Sequence, residues 1–212
     1  MADKKINNNG FDYVDLELPS KSLWATSNVG GDKPTDFGLY FQWGDKIGYA
    51  SDQIGTEKGQ KEFAADWSDY KMNPSGDGKT FTKYRTPLET LYLEDDAANN
   101  YMGGDWHIPS PEQFLELLYN TTREWTVKDD VKGILFTSKK NASKSIFFPA
   151  AGIAVNGEIC GIGKYVDIWA SKLSSEMIVG PSAGQEFSAD SKFIGVYCKC
   201  IFAGLTLRAV IG

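Results

Sequence analysis

The chain has 212 residues, with 22 Lys and Arg against 28 Asp and Glu, for a formal charge of −6. Apolar residues make up 42% and charged ones 24%, ordinary for a soluble globular protein of a length that can bury a large core without disulfides or metal. The acidic excess argues against a nucleic-acid partner or an anionic membrane surface. No apolar run approaches the ~20 residues of a membrane-spanning helix.

Residues 1–10 read as a flexible polar tail without the apolar stretch of a secretory signal, so cytoplasmic synthesis is expected. One domain is then expected over 11–212. Tyr13-Val-Asp-Leu-Glu-Leu alternates as a strand, and Leu23-Trp-Ala-Thr-Ser-Asn-Val and Phe37-Gly-Leu-Tyr-Phe-Gln-Trp-Gly read as two more. Residues 44–87 show no sustained period, yet they hold Phe63, Trp67, Tyr70, Phe81 and Tyr84. Disordered segments are poor in aromatics, so this stretch reads as an inserted but ordered loop region. A helix is expected near 87–100 from Leu88, Leu91 and Tyr92. A better-marked one begins at Ser110, with Pro111 at its first position and Gln113 completing a capping box. Strands follow at 123–127, 133–138, 145–149, 166–171, 185–187, 194–202 and 205–210, with Asn141-Ala-Ser as a hairpin turn. Two helices among many short strands mean α+β, with no βαβ alternation to support a parallel sheet. Trp24, Trp43, Trp106, Trp125 and Trp169 are expected in the core.

Catalytic signals are sparse. Cys160, Cys198 and Cys200 are an odd number, and a lone Cys-x-Cys lacks the other ligands of a zinc site, so they read as small apolar residues. His107 is the only histidine and reads as polar packing. Glu94-Asp95-Asp96 could offer oxygens to calcium, but acidic residues beside a helix more often cap it or face solvent. Gly152-Ile-Ala-Val-Asn-Gly and Gly161-Ile-Gly-Lys lack the strand-to-helix setting of a phosphate loop. No cofactor or metal is expected.

Several segments, in order, resemble a known family. Tyr13-Val-Asp-Leu-Glu-Leu-Pro-Ser with Leu23-Trp-Ala-Thr-Ser-Asn-Val-Gly is similar to its opening. Leu93-Glu-Asp-Asp-Ala-Ala, Gly103-Gly-Asp-Trp-His-Ile-Pro-Ser-Pro-Glu-Gln-Phe, Thr137-Ser-Lys-Lys-Asn, Ile146-Phe-Phe-Pro-Ala-Ala-Gly, Ile168-Trp-Ala-Ser and Gly204-Leu-Thr-Leu-Arg-Ala-Val follow its later motifs. Over about 13–210 the chain thus resembles the Fibrobacter succinogenes major paralogous domain type of Bacteroides-like bacteria and their phages. The resemblance implies a C-type-lectin-like fold with two helices, short twisted antiparallel sheets, long ordered loops and termini lying together in one sheet. It also implies kinship with the formylglycine-generating branch and with the ligand-binding variable proteins of diversity-generating retroelements.

Framework positions Trp169, Ser171, Gly204 and Arg208 match the family, while residues between them depart from it. Either retroelement-driven rewriting or ordinary drift gives that pattern. The departing positions, with Tyr197, form the expected ligand-binding face: Val166, Asp167, Ile168, Ala170, Lys172, Tyr197, Lys199, Ile201, Phe202 and Leu205. Period-2 alternation sets Tyr197, Lys199 and Ile201 on one side of a strand and Val196, Cys198 and Cys200 on the other. The alternative is that 194–202 is a buried central strand. The expected function is a non-enzymatic receptor-binding protein, phage-encoded or retroelement-diversified, that recognises a protein or glycan on a cell surface and is carried in a virion or surface assembly. A structural virion subunit is the alternative, and a formylglycine-type oxidase using Cys198 and Cys200 is a minor one. Nothing in the sequence fixes an oligomeric state.

Overall fold

A computed structural model describes residues 7–175 and 183–212. The chain enters as β1 (Asn7–Asn8) and β2 (Phe11–Asp15), joined by Asn9 and Gly10 with φ of 51° and 87°. Two left-handed residues in a two-residue loop are the signature of a tight hairpin whose twist matches its strands. The expected tail at 1–10 is therefore paired chain from residue 7, and 1–6 lie outside the described residues. β3 (Leu23–Ala25) pairs with β2, and the last strand, Val210–Ile211, pairs with β3 from its other side. Both ends of the chain thus share one four-stranded sheet.

The expected strand at 37–44 is reduced to single bridges, Tyr40 with Tyr49 and Phe41 with Leu205. Gly38 and Gly44, at φ of 74° and 76°, turn the extended path away at both ends. Residues 44–87 contain a short 3₁₀ turn at Ser51–Gln53 and isolated bridges at Tyr49 and between Ile54 and Lys61, yet Phe63, Tyr70, Phe81 and Tyr84 are buried. The Tyr70 hydroxyl donates to the Trp43 carbonyl at 2.8 Å, and the Tyr84 ring meets Trp43 edge-on at 5.0 Å. Aromatic anchors hold this stretch without regular secondary structure.

The helix expected over 87–100 shrinks to a 3₁₀ turn (Leu93–Asp95) and α1 (Ala97–Met102), capped by Asp96. Tertiary pairing explains the difference. Leu91 donates its backbone N–H to Ser171 at 2.7 Å, and Leu173 donates to Glu89 at 2.8 Å, which holds 89–91 extended. α2 (Pro111–Asn120) begins as expected, with both hydrogen bonds of the Ser110–Gln113 capping box present. Ser110→Ala should lower stability by about 1 kcal/mol, read as a smaller urea midpoint at unchanged slope.

A meander follows: β4 (Thr121–Lys128), β5 (Val131–Ser138) and β6 (Ser145–Pro149). Its second turn is closed by Asn141, whose side chain accepts from the Ser143 N–H and hydroxyl. The small hairpin of β7 (Ile153–Val155) and β8 (Glu158–Cys160) turns through Asn156 and Gly157. β9 (Val166–Leu173), β10 (Ala183–Ala189) and β11 (Ile194–Cys200) form an antiparallel sheet with β10 central and β11 at an edge. The expected strand at 205–210 becomes bridges at 204–206 and then β12 (Val210–Ile211).

These elements enclose two main cores, one holding Trp43, Trp106 and Trp169, the other Trp24, Phe114, Phe148 and Phe187. Trp125, expected inside, is only half-buried on the edge strand β4. Two helices and several short antiparallel sheets make the architecture α+β. Among the described residues no helix is long and apolar enough to cross a membrane.

Candidate functional site

Alternation gives the β9–β10–β11 sheet two unlike faces. On one, Val166, Ile168 and Ala170 of β9 and Phe187 of β10 are buried with Phe114 of α2, whose ring stacks on Phe187 at 5.1 Å. On the other, Trp169 enters the first core, and its register neighbours along the sheet are polar. Glu186 of the central strand lies between Trp169 on β9 and Tyr197 on β11, and Ser188 lies opposite Asp167.

A cavity of about 270 Å³ opens on this polar end, lined by Ile153, Tyr165, Asp167, Ser188, Asp190, Phe193, Tyr197 and Lys199. Three of these are aromatic side chains unusually open to solvent: Tyr165 at 42%, Tyr197 at 49% and Phe193 at 68%. Both tyrosine rings lie close over a glycine. A Cβ on Gly195 would stand 3.2 Å from the Tyr197 ring, and one on Gly161 would stand 2.2 Å from Tyr165. Each ring thus lies against bare backbone, a close approach that a side chain at either glycine would block.

Glu186 is 2% exposed, and its Oε2 has no hydrogen-bond partner. Its Oε1 stands 3.4 Å from the Lys199 ammonium. Burial, reinforced by the charge of Asp167, pushes the Glu186 carboxyl up to about 8 against the opposing pull of Lys199. Burial raises Asp167 as well, partly offset by a hydrogen bond from Ser188 and by Lys199. Asp190 is held below the usual carboxylate range by the backbone N–H groups of Phe193 and Lys192, which close the β10–β11 turn.

Of the expected binding residues, the structure brings Asp167, Tyr197 and Lys199 together at this cavity. Lys172 lies half-buried on the other side of the sheet, paired with Glu112 at 2.9 Å, and lines a second groove that Tyr197 also borders. Phe202 is half-buried, edge-on to Trp67 at 4.9 Å. Val166, Ile168, Ala170, Ile201 and Leu205 are corrections: all five are buried in the two cores and present nothing to a partner. The reason for Ile201 is that β11 ends at Cys200, so alternation stops before it and the chain turns inward. The alternative of a buried central strand at 194–202 also fails, because β11 is an edge strand with Tyr197, Cys198 and Cys200 exposed. The cysteines are a further correction. None of the three is in a disulfide, and all are exposed rather than packed in a core.

Sequence reasoning missed Tyr165, Glu186, Ser188, Asp190 and Phe193. One signal was available: Glu186 and Asp167 are acidic positions inside otherwise buried strands, which marks a polar pocket or a partner. The Glu94-Asp95-Asp96 run is fully occupied. Glu94 and Asp95 pair with Lys83 at 2.6 and 2.8 Å, Tyr84 donates to Asp95, and Asp96 caps α1 while accepting from the Ile108 N–H. His107 lies between the carbonyls of Ile108 and Gly212. Among the described residues no group of three His, Cys, Asp or Glu side chains is placed to hold a metal. Comparison with protein families, with curated proteins and with solved structures found no match to this chain.

Proposed function

We propose that this protein is a non-enzymatic receptor-binding module of C-type-lectin-like fold, carried in a virion or surface assembly, and that it meets its receptor through the aromatic-rimmed face of the β9–β10–β11 sheet. The carrying observation is the set of three exposed rings, Tyr165, Phe193 and Tyr197, around one cavity. Exposed aromatics in a cluster are characteristic anchors of protein interfaces, while isolated apolar side chains are ordinary. The fold assignment is supported by the pairing of both chain ends in one sheet and by the long ordered stretch of 44–87. It is also supported by the framework residues of the resemblance, since Trp169, within β9, and Arg208 are both wholly buried. A protein receptor is favoured because the rim joins large apolar rings to charged groups, as interface cores and rims do.

The test uses fluorescently labelled protein and intact Bacteroides-type cells, the hosts implied by the resemblance. The double variant Phe193→Ser with Tyr197→Ser should lose about tenfold or more in cell binding, as hot-spot aromatics do. Tyr119→Ser on α2, away from the cavity, should bind like the parent. Protease treatment of the cells should abolish binding. Loss on periodate treatment alone would identify a glycan instead, and equal binding by both variants, or none by the parent, would overturn the reading.

A further inference from the structure

The chemistry lining the cavity is one-sided. Among its polar groups, Asp167 and Asp190 only accept hydrogen bonds when ionised, and the tyrosine and serine hydroxyls can accept as well as donate. The sole cation there is Lys199, and Glu186 behind it already competes for that ammonium at 3.4 Å. Neither Asp167 nor Asp190 forms an ion pair with a Lys or Arg among the described residues. The buried carboxyl groups of Asp167 and Glu186 therefore share the Lys199 ammonium, Asp190 lies in the field of Lys192, and the Glu186 Oε2 remains buried without a hydrogen-bond partner. Buried carboxyl groups left short of a counter-charge favour an incoming cation.

The rim adds a second, independent indication. Aromatic faces attract an alkylammonium through the ring quadrupole, more strongly where water is displaced. Tyr165 and Tyr197 lie over glycine backbone at the cavity rim, where their faces can meet an entering ligand. A sugar would need donors as well as acceptors, and the one donor-only group is engaged. An anion would meet Asp167 and Asp190. An uncharged alkyl group would leave both carboxylates unsolvated.

We propose that this cavity seats an aliphatic ammonium group of the lysine side-chain type, held between the Tyr165, Phe193 and Tyr197 rings with Asp167 and Asp190 as its counter-charges. The assignment rests on the receptor-binding reading and names the anchor that a protein receptor inserts. At about 270 Å³ the cavity has room for a butylammonium chain.

The test is an amide-resolved NMR titration of the full chain with n-butylammonium chloride, against n-butanol and against potassium chloride at equal ionic strength. Butylammonium should give saturable shifts at Ser188, Tyr197 and Lys199 with a millimolar Kd, the range open to so few ligand atoms. Butanol and potassium chloride should not. Phe193→Ala, at an exposed turn that leaves the fold intact, should weaken butylammonium severalfold, and Asp167→Asn should do so more strongly. Equal shifts with butanol, saturable shifts away from the cavity, or no saturation would overturn the proposal. The two readings fail separately. Cell binding that depends on Phe193 and Tyr197 without any butylammonium response removes the cation and keeps the face. A butylammonium site without cell binding keeps the cavity and removes the receptor function.

Discussion

Arg208→Met should lower the stability of this protein by about 3 kcal/mol or more, chiefly through buried acceptors left unpaired. Arg208 is wholly buried. Its Nε donates to Asn28 Oδ1, and its two terminal nitrogens donate to the carbonyls of Ala25 and Phe147, each at 3.0 Å. The guanidinium lies 4.7 Å from the centre of the Phe148 ring. One side chain thus ties β3, the turn after it and β6 to the C-terminal segment. Among the described residues no carboxylate pairs with it, and burial pulls the guanidinium down to about 9. Methionine fills most of the volume and removes the cost of burying a charge, which offsets part of the loss. It leaves three oxygens with no donor, however, at roughly 1–3 kcal/mol each, and that sum exceeds the offset. Lysine keeps the charge but cannot reproduce the planar fork, so Arg208→Lys should recover less than half of the difference. Urea unfolding of the three proteins checks the order. A methionine variant within about 1 kcal/mol of the parent, the net value of an ordinary hydrogen bond, would show that water or backbone movement satisfies those oxygens.

What could be read from the sequence followed how local each signal was. The α2 capping box and the Asn141 turn involve residues within a few positions of each other, and both appear where expected. The same holds for β4, β5, β6, β9, β10 and β11, whose alternation or apolar runs span several residues, while the short β7–β8 hairpin was not expected. The α1 region misled because its apolar spacing competes with long-range pairing of 89–91 to β9, which no local pattern encodes. The Asn9-Gly10 hairpin was legible in principle, since that dipeptide is a strong two-residue turn signal. At the site, departure from a family pattern was a poor guide to exposure. Val166, Ile168 and Ala170 differ from the pattern and are buried, because β9 has α2 on one face and Trp169 in the first core on the other. Asp167 belongs to the site because it shares a sheet face with Glu186 and Ser188, a register that depends on how three separated strands align.

Glu186 sets the largest expected pH effect. The native state holds its proton up to about 8, whereas an unfolded glutamate releases it near its ordinary value of about 4.3. Between those limits the native state binds more protons than the unfolded one, so stability falls as pH rises. Each pH unit inside the window removes up to about 1.4 kcal/mol, and the groups facing Glu186 fix the sign. Asp167 on β9 raises the carboxyl, and Lys199 on β11 opposes with its ammonium at 3.4 Å. Glu186→Gln keeps the shape and removes the ionisation. It should match the parent near pH 4 and exceed it by about 2 kcal/mol or more at pH 8, with parallel urea curves at both pH values as the contrary result. Binding should move the other way. In the free protein the Glu186 carboxyl is protonated and neutral up to about 8, and an entering ammonium favours its carboxylate form and expels the proton. Butylammonium affinity should therefore rise with pH towards 9 in the parent, while the ligand itself stays protonated, and should be weaker and nearly flat in Glu186→Gln. A substitution that raises stability and lowers affinity together is the behaviour of a carboxylate kept for a ligand rather than for the fold.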